Sequence, residues 1–321
     1  INKVEAGTIM RLCCNNMNIS SIDLLNCVNL QELECSRNKI SSINLSNCVN
    51  LQVLDCYKNK ILSIDLSNCS NLKILDCSKN NISSIDISNC VNLQEFYCYK
   101  NNISSINLSN CMNLKKLDYS DNNILLTDLL NCVNLRIFHC SNNNISSIDL
   151  SNCVNLRMLH CDNNNIPSID LSSCINLTYL NCSNNDLSFV DLSSCINLIY
   201  LDCSNNNLSF IDLLNYVNLD YLYCHDNNIS RLLTHEYTDN ILCYNNQITL
   251  FNFSKQPTYY NLICNHLIIL KKTTDLHKYL TKKYFNINKT NNIKRVLLNQ
   301  YSNLSKEEII SKLNIIKRVT R

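Results

Sequence analysis

The chain contains very few of the residues that usually make tight turns. Its 321 residues include one Gly, two Pro and no Trp. A single glycine, Gly7, excludes the Gly-rich loops that cradle phosphates and the Gly-rich turns that bind calcium. Turns must instead be made by Asn, Asp and Ser, whose side chains bond nearby backbone groups and tolerate left-handed backbone conformations.

Long apolar runs are also absent. None approaches the roughly 18 residues that a membrane-spanning helix needs. No basic segment followed by an apolar stretch opens the chain, so we expect no signal peptide within it. The first residue is Ile1 instead of Met, so the sequence leaves open whether a segment precedes it.

What the chain does have is a 21-residue pattern, NLxxLxCxxNxIxxIDLSxCx, that recurs from about Leu12 to Ile229. A large apolar residue fills one phase: Leu33, Leu54, Leu75, Phe96, Leu117, Phe138, Leu159, Leu180, Leu201 and Leu222. Asn fills the phase five residues later: Asn38, Asn59, Asn80, Asn101, Asn122, Asn143, Asn164, Asn185, Asn206 and Asn227. Self-similarity at a fixed period indicates a solenoid, in which each unit buries its apolar side against its neighbours.

The segments NLQELECSRN (29–38) and LKILDCSKN (72–80) resemble the leucine-rich-repeat consensus LxxLxLxxN, with Cys at the third apolar site. Within that family, the short unit and its Cys and Asn content are similar to uncharacterised repeat proteins of giant DNA viruses of the mimivirus type. The resemblance implies an α/β repeat fold: a leucine-rich-repeat solenoid with a concave parallel β-sheet, followed by a small α-helical C-terminal region. It also implies binding of a protein instead of catalysis.

Two parts are predicted along the chain. Residues 1–264 form the solenoid, with regular repeats at about 9–233 and degenerate repeats at about 234–267. Residues 265–321 form a basic helical cap or small domain. Apolar residues at helical spacing predict helices at 274–285 and 292–304, and Ser305 with Glu308 forms a capping box that opens a third.

Most of the 22 cysteines follow the repeat. They occupy two phases at 21-residue spacing, one ladder from Cys14 to Cys224 and one from Cys27 to Cys195, and Tyr119 and Tyr216 stand where the two ladders break. A tyrosine cannot replace a crosslink, and parallel in-register strands point their β-carbons the same way, so the pattern favours free thiols packed as small apolar side chains. Reduced thiols predict a cytoplasmic location, in the host cytoplasm if the protein is viral.

The Asn phase is predicted to be structural, with each amide bridging backbone groups of adjacent turns in a buried ladder. The DLSN segments, as at Asp65 and Asp149, are typical of turns in which the Asp side chain accepts backbone amide hydrogens.

Residues on either side of the strand leucine should face outward on the concave sheet. In the later repeats these positions are unusually apolar and aromatic, whereas isolated sheet surfaces are normally polar. The predicted partner-binding residues are Ile137, Met158, Tyr179, Tyr200, Tyr221, Tyr223, His139 and His160. Exposed aromatic patches are common interface centres; stacking that merely stabilises the sheet is the alternative.

His139 and His160 should lie side by side, with Asp118 and Asp162 close. A third metal ligand is not evident, and an open sheet lacks the pocket that catalysis normally needs. We therefore expect no catalytic residue, metal, cofactor or small-molecule substrate.

Charge is segregated between the two parts. From Asn265 to Arg321 there are thirteen Lys and Arg against three acidic residues, so this segment carries +10 and the remainder −8. Near the amino end, Arg37, Lys58, Lys79 and Lys100 form a basic column beside Glu34, Asp55 and Asp76. The leading hypothesis is a non-enzymatic scaffold that binds a protein on its concave face. Its alternatives are nucleic-acid or anionic-membrane binding through the basic helices, and an adaptor that recruits a host complex.

Overall fold

The structure is a computed structural model. It describes residues 7–235, 238 and 240–248, together with the backbone of strands at 250–253, 261–263 and 268–270. Its strands are β1 (Arg11–Cys13), β2 (Glu32–Glu34), β3 (Val53–Asp55), β4 (Ile74–Asp76), β5 (Glu95–Tyr97), β6 (Lys116–Asp118), β7 (Leu126–Thr127), β8 (Ile137–His139), β9 (Ser147–Ile148), β10 (Met158–His160), β11 (Tyr179–Asn181), β12 (Tyr200–Asp202), β13 (Phe210–Leu213), β14 (Tyr221–Tyr223), β15 (Arg231–Thr234), β16 (Asn240–Leu242), β17 (Leu250–Phe253), β18 (Asn261–Ile263) and β19 (Ile268–Leu270).

One long sheet contains fourteen of these described strands, in the order β1-β2-β3-β4-β5-β6-β8-β10-β11-β12-β14-β16-β18-β19. All of its neighbours pair in parallel except β18 and β19, and equivalent repeat positions face each other, as Leu33 faces Leu54. In the strands of this sheet from β2 to β12, the central residue is buried and its two flanking residues are half-buried, which is the predicted period-two alternation. The predicted parallel sheet and its register are therefore confirmed.

The opposite side of each repeat is built from tight turns. In one repeat, the Cys48 amide donates to the Leu45 carbonyl at 2.9 Å and the Leu51 amide to the Cys48 carbonyl at 3.1 Å. Short strand pairs, β7 with β9 and β13 with β15 and β17, add to this side in later repeats. The described residues contain no helix. The predicted α/β class is corrected for these repeats, because a 21-residue unit has room for turns where a longer unit has room for a helix.

At the C-terminal end, β16 and β18 extend the long sheet through the region predicted to hold degenerate repeats. The antiparallel strand β19 lies within the segment 265–321, and the sequence analysis did not predict it. The three predicted helices lie outside the described residues. No helix long and apolar enough to cross a bilayer occurs in the part of the chain that the structure describes.

Left-handed turns follow the strands without any glycine. Positive φ angles between 51° and 58° occur at Asn16, Asn18, Arg37, Lys58, Lys79, Lys100, Asp121, Asn142, Asn163, Asn184, Asn205, Asp226 and Asn245. The Asn and Asp residues are those the composition led us to expect. The four basic residues are not, because long side chains carry no local hydrogen bond that favours this conformation.

Both cysteine ladders lie in the core. Every cysteine of the two ladders is buried and free, whereas Cys13, which belongs to neither ladder, is exposed. Burial raises the pKa of the Cys48 thiol to about 11 and that of Cys35 to about 12, so these thiols stay protonated at neutral pH. The buried Tyr119 and Tyr216 side chains continue the ladders at their breaks.

The Asn ladder satisfies backbone groups of two repeats at once. Asn80 Nδ2 donates to the carbonyls of Cys77 (3.0 Å) and Ser78 (3.2 Å) in its own repeat and of Cys56 (3.0 Å) in the preceding one. Its Oδ1 accepts the Ile61 amide at 3.0 Å. Equivalent bonds recur from Asn38 to Asn227, so each Asn bridges backbone groups of adjacent turns.

Candidate functional site

The concave sheet brings the predicted partner-binding residues into two rows. Ile137, Met158, Tyr179, Tyr200 and Tyr221 occupy the first position of successive strands, and His139, His160 and Tyr223 occupy the third. All eight side chains are at least partly exposed, and Tyr221 is 38% exposed. We call these eight residues the aromatic strip.

Within the aromatic strip the rings stack across the two rows. Tyr179 and Tyr200 lie face to face, with ring centroids 4.1 Å apart and planes 2° from parallel. His160 stacks on Tyr179 at 4.8 Å and meets His139 edge to face at 4.5 Å. Tyr200 reaches Tyr223 edge to face at 5.5 Å and the tilted ring of Tyr221 at 6.2 Å. Six rings from five repeats thus form one continuous, pre-ordered surface.

Two rings of the strip, Tyr200 and His160, favour their uncharged forms. Burial, followed by the charge of Asp202, raises the pKa of Tyr200, so its hydroxyl stays protonated. Burial and the neighbouring His139 lower the pKa of His160, which favours its neutral imidazole. Neutral rings that carry hydroxyl or imidazole groups suit contacts that are apolar over the ring and polar at its edge.

Each histidine of the pair has one carboxylate nearby. His139 Nδ1 lies 3.7 Å from Asp118 Oδ2, and His160 Nδ1 lies 4.0 Å from Asp162 Oδ1. Asp162 already accepts 2.6 Å hydrogen bonds from Ser141 Oγ and Asn163 Nδ2. Among the described residues no group of three or more His, Cys, Asp or Glu side chains is placed to hold a metal ion.

Toward the amino end the same face becomes acidic. Glu34, Asp55 and Asp76 stand on adjacent strands in register. Asp55 and Asp76 accept the amides of Tyr57 and Ser78 at 3.0 and 2.9 Å, but burial raises the pKa of both carboxyl groups. Arg11 holds Glu34 at 2.6 Å and, as the main cause, lowers the pKa of that carboxyl.

Two surfaces were not predicted as sites. On the convex side, Phe189, Ile196, Phe210 and Tyr216 line a cavity of about 290 Å³. Beside the acidic residues, the basic column of Arg37, Lys58, Lys79 and Lys100 occupies left-handed turn positions. The column's spacing was visible in the sequence, but its backbone conformation was not.

Comparison with known proteins supports the repeat assignment. A family model described as leucine-rich repeats (2 copies) matches residues 28–68, 49–90 and 133–173. Comparison with curated protein sequences gave no significant match.

Among solved structures, the chain is similar to the functional domain of InlJ from Listeria monocytogenes, which includes a cysteine ladder (27% identity, TM-score 0.67). The match covers 81% of this chain and 56% of that domain, so the chain spans little more than half of it. The leucine-rich-repeat protein LIC12759 of Leptospira interrogans is similar at 16% identity and a TM-score of 0.65, covering 81% of each chain.

A third similar structure is the ectodomain of the plant receptor kinase GASSHO1/SCHENGEN3 from Arabidopsis thaliana, solved in complex with CASPARIAN STRIP INTEGRITY FACTOR 2. Identity is 21% and the TM-score 0.61, over 76% of this chain and 34% of that one. At this identity the likeness concerns the fold alone. Together with the stacked parallel strands, the comparisons show leucine-rich repeats at residues 28–90 and 133–173 and a fold similar to that of leucine-rich-repeat solenoids.

Proposed function

We propose that the chain is a non-enzymatic scaffold that binds a protein through the aromatic strip on its concave face. The observation that carries the proposal is the continuous run of six stacked rings from His139 to Tyr223, all partly accessible. Rigid aromatic side chains lose little conformational entropy on binding, which is why Tyr is enriched at the centres of interfaces.

The apolar neighbours of the rings support an interface. Ile137 and Met158 continue the first row beyond the tyrosines, so the strip extends the length of five repeats. Met adapts its shape to different partners and contacts aromatic rings favourably. The strip thus combines six rigid rings with two aliphatic side chains, Ile137 and the more adaptable Met158.

Ring stacking also stabilises the sheet. A purely stabilising role and a partner-binding role predict different effects of substitution on stability and on binding. Tyr179 is tightly stacked on both sides, whereas Tyr221 makes a loose, tilted contact. If stacking were the whole role, Tyr179→Ala should reduce stability and Tyr221→Ala should change little. An interface role requires Tyr221→Ala to weaken binding while leaving stability nearly unchanged.

The test measures both quantities on the same proteins. A partner captured from the native source is titrated against the wild type, Tyr221→Ala and Tyr200→Ala, and thermal unfolding is recorded for each. We expect each tyrosine variant to lose about 2 kcal/mol of binding free energy, or about thirtyfold in affinity. Val53→Ala and Ile74→Ala, at the same strand position in earlier repeats, are the matched controls and should bind normally. Unchanged binding in both tyrosine variants would remove the interface assignment.

The basic segment from Asn265 to Arg321 carries the alternative function, binding of nucleic acid or an anionic membrane. Its net charge of +10 is the reason to consider it. Contacts with phosphates weaken steeply as salt rises, because binding releases counterions. An affinity that falls tenfold or more between 50 and 200 mM salt, and that survives Tyr221→Ala, would favour this alternative over the aromatic strip.

We place the protein in the cytoplasm, in the host cytoplasm if it is viral. The buried free thiols of both ladders support this location, since an oxidising compartment would expose them to disulfide formation during folding. Fractionation of the native source with an antibody to the chain tests the location, and recovery from the secreted fraction would contradict it.

A further inference from the structure

The basic column breaks a rule that the other repeats follow. At the left-handed turn position, the repeats after Lys100 use Asp121, Asn142, Asn163 and their successors, all of them Asn or Asp. Four consecutive earlier repeats use Arg37, Lys58, Lys79 and Lys100, with φ angles of 52° to 56°. Asn and Asp tolerate this conformation better than Lys or Arg. Because local backbone preference would select Asn at these four positions, the positive charge itself calls for an explanation.

The four charges are stacked close together. Turn amides bond to the next repeat along the column, as Arg37 N donates to Tyr57 O at 2.7 Å and Lys58 N to Ser78 O at 2.9 Å. Successive members are therefore separated by about one strand spacing, roughly 4.8 Å. The four side chains start from turns at this backbone spacing, so their like charges repel one another.

Most of the column's charges have no ion-pair partner in the described part of the chain. In the described part of the chain, Arg37, Lys58 and Lys79 form no ion pair, and Lys100 approaches Asp121 at 3.9 Å. Lys79 Nζ instead donates to Tyr57 Oη at 2.7 Å and lies 5.1 Å and 5.6 Å from the ring centroids of Tyr57 and Tyr99. The nearby Asp55 and Asp76 carboxylates accept turn amides, and neither forms an ion pair with the column, although the charge of Arg37 is felt at Asp55.

We propose that the column of Arg37, Lys58, Lys79 and Lys100 is a second binding surface, which takes an acidic segment of a partner protein. A row of partner carboxylates would relieve the repulsion within the column and occupy the ammonium and guanidinium donors. The surface is separate from the aromatic strip, which begins at Ile137, and it does not depend on the strip's function.

Two observations favour a protein carboxylate row over a nucleic-acid strand. Single-stranded nucleic acids need aromatic faces on which bases stack. Arg37 lies over the Tyr57 ring at 5.5 Å, and Lys79 lies over both tyrosines, so cations already cover these rings. Glu34, Asp55 and Asp76 run beside the column and repel any anion, but a protein segment can direct its carboxylates to the column and its uncharged residues to the acidic row, whereas every nucleotide carries a phosphate.

The basic C-terminal segment also attracts acidic peptides, so the test must show where on the full chain a peptide binds. A twelve-residue poly-Glu peptide is added to the full chain, its carboxylates are coupled to lysines with a carbodiimide, and the coupled lysines are mapped by mass spectrometry. We expect coupling at Lys58 and Lys100 to exceed that at Lys39 and Lys60 at least fivefold. The latter are also exposed lysines, and each lies two residues after a column member. Equal coupling at both pairs would overturn the proposal.

A second test compares the peptide affinities of two multiple variants. The column variant R37N/K58N/K79N/K100N introduces the residue that later repeats use, so its fold should be retained. The control K39N/K60N/R136Q/R157Q removes the same charge from exposed positions elsewhere. We expect the column variant to bind the peptide at least fivefold more weakly than the control. Equal affinities, or tighter binding of a twelve-nucleotide oligothymidylate than of the peptide with the same dependence on the column, would overturn the proposal.

Discussion

A single side chain in a left-handed turn shows how local preference and function compete in this chain. Lys58 has a φ of 55°, is exposed, and makes no ion pair in the described residues. An L-residue with a β-carbon is disfavoured there by about 1 to 2 kcal/mol, and Asn reduces this cost through local hydrogen bonding. The turn is therefore less stable with Lys58 than it would be with Asn at this position.

Lys58→Asn should stabilise the protein by about 1 kcal/mol, as measured by urea unfolding. Part of any gain could come from relief of charge repulsion in the column. Lys58→Gln removes the same charge but keeps a side chain unsuited to the turn, so it should gain clearly less than Lys58→Asn. Equal gains in the two variants would show that the backbone conformation contributes little.

Buried carboxyl groups on the concave face should give the stability a distinctive pH dependence. Burial raises the pKa of Asp76, so its ionised form is disfavoured in the folded state. The destabilisation is fully present at neutral pH, declines as pH falls through the raised pKa, and is gone below the unfolded value of about 3.9. Asp76→Asn keeps an acceptor for the Ser78 amide and should be more stable than wild type at pH 7, with the difference vanishing near pH 3.5.

Asp65 provides a control of opposite sign. The Ser67 amide lowers the pKa of this exposed carboxyl, so the ionised form stabilises the fold above the unfolded pKa, and that contribution is lost as pH falls through the lowered value. Asp65→Asn should therefore be less stable than wild type at pH 7. Urea titrations at pH 7 and pH 3.5 measure both differences, and the same sign for the two variants would contradict this account.

At the scale of the element, the Asn ladder is what joins one turn of the solenoid to the next. Asn143 Nδ2 donates to the carbonyls of Cys140, Ser141 and Tyr119, and its Oδ1 accepts the Ile124 amide at 3.0 Å. Removing a buried partner leaves backbone groups unsatisfied, and each costs about 1 to 3 kcal/mol.

Asn143→Ala should thus destabilise the protein by about 3 kcal/mol in urea unfolding. The control is Asn152→Ala, which loses an exposed 2.8 Å bond to the Leu130 carbonyl and should cost less than about 1 kcal/mol because water replaces the carboxamide. Similar losses in the two variants would mean that the ladder is no more important than the exposed row of Asn residues.

The elements also show where prediction from the sequence succeeds. Leu33, Leu54 and their successors each face the equivalent position of the next repeat, so the period alone determined the strand register and the buried positions. The Asx turns at Asp65 and Asp149 could be predicted because their hydrogen bonds are local. Each of these features depends on contacts that recur in every unit.

The sequence did not predict features that depend on contacts between non-equivalent positions of the repeats. His160 and Tyr179 occupy different positions of adjacent strands, and only their side-chain rotamers bring the rings to 4.8 Å. The left-handed conformation of Arg37 and Lys58 could not be inferred from residue type, since basic residues do not favour it. Strand β19 reverses direction where the repeat has ended, so no period could indicate it.

At the scale of the whole molecule, stability should be nearly additive along the array, because each repeat contacts only its neighbours. Deleting residues 49–69 removes one complete period and joins Cys48 to Ser70 in the same phase. We expect the shortened chain to stay folded and to lose about 4.8 Å of length by small-angle scattering. Deleting residues 50–69 instead leaves one residue too many and should disrupt the register locally, with a clear loss of strand signal in circular dichroism. Equal behaviour of the two deletions would contradict strict stacking.

The constant 21-residue register also has a mechanical consequence. Each repeat adds about 4.8 Å to the folded length, but its 21 residues span about 70 Å when fully extended. A molecule pulled from its two ends in an optical trap should therefore lengthen in equal steps of about 65 Å as repeats peel away one at a time. Under tension this solenoid would act as an extensible tether, whose length increases by a fixed amount each time one repeat unfolds.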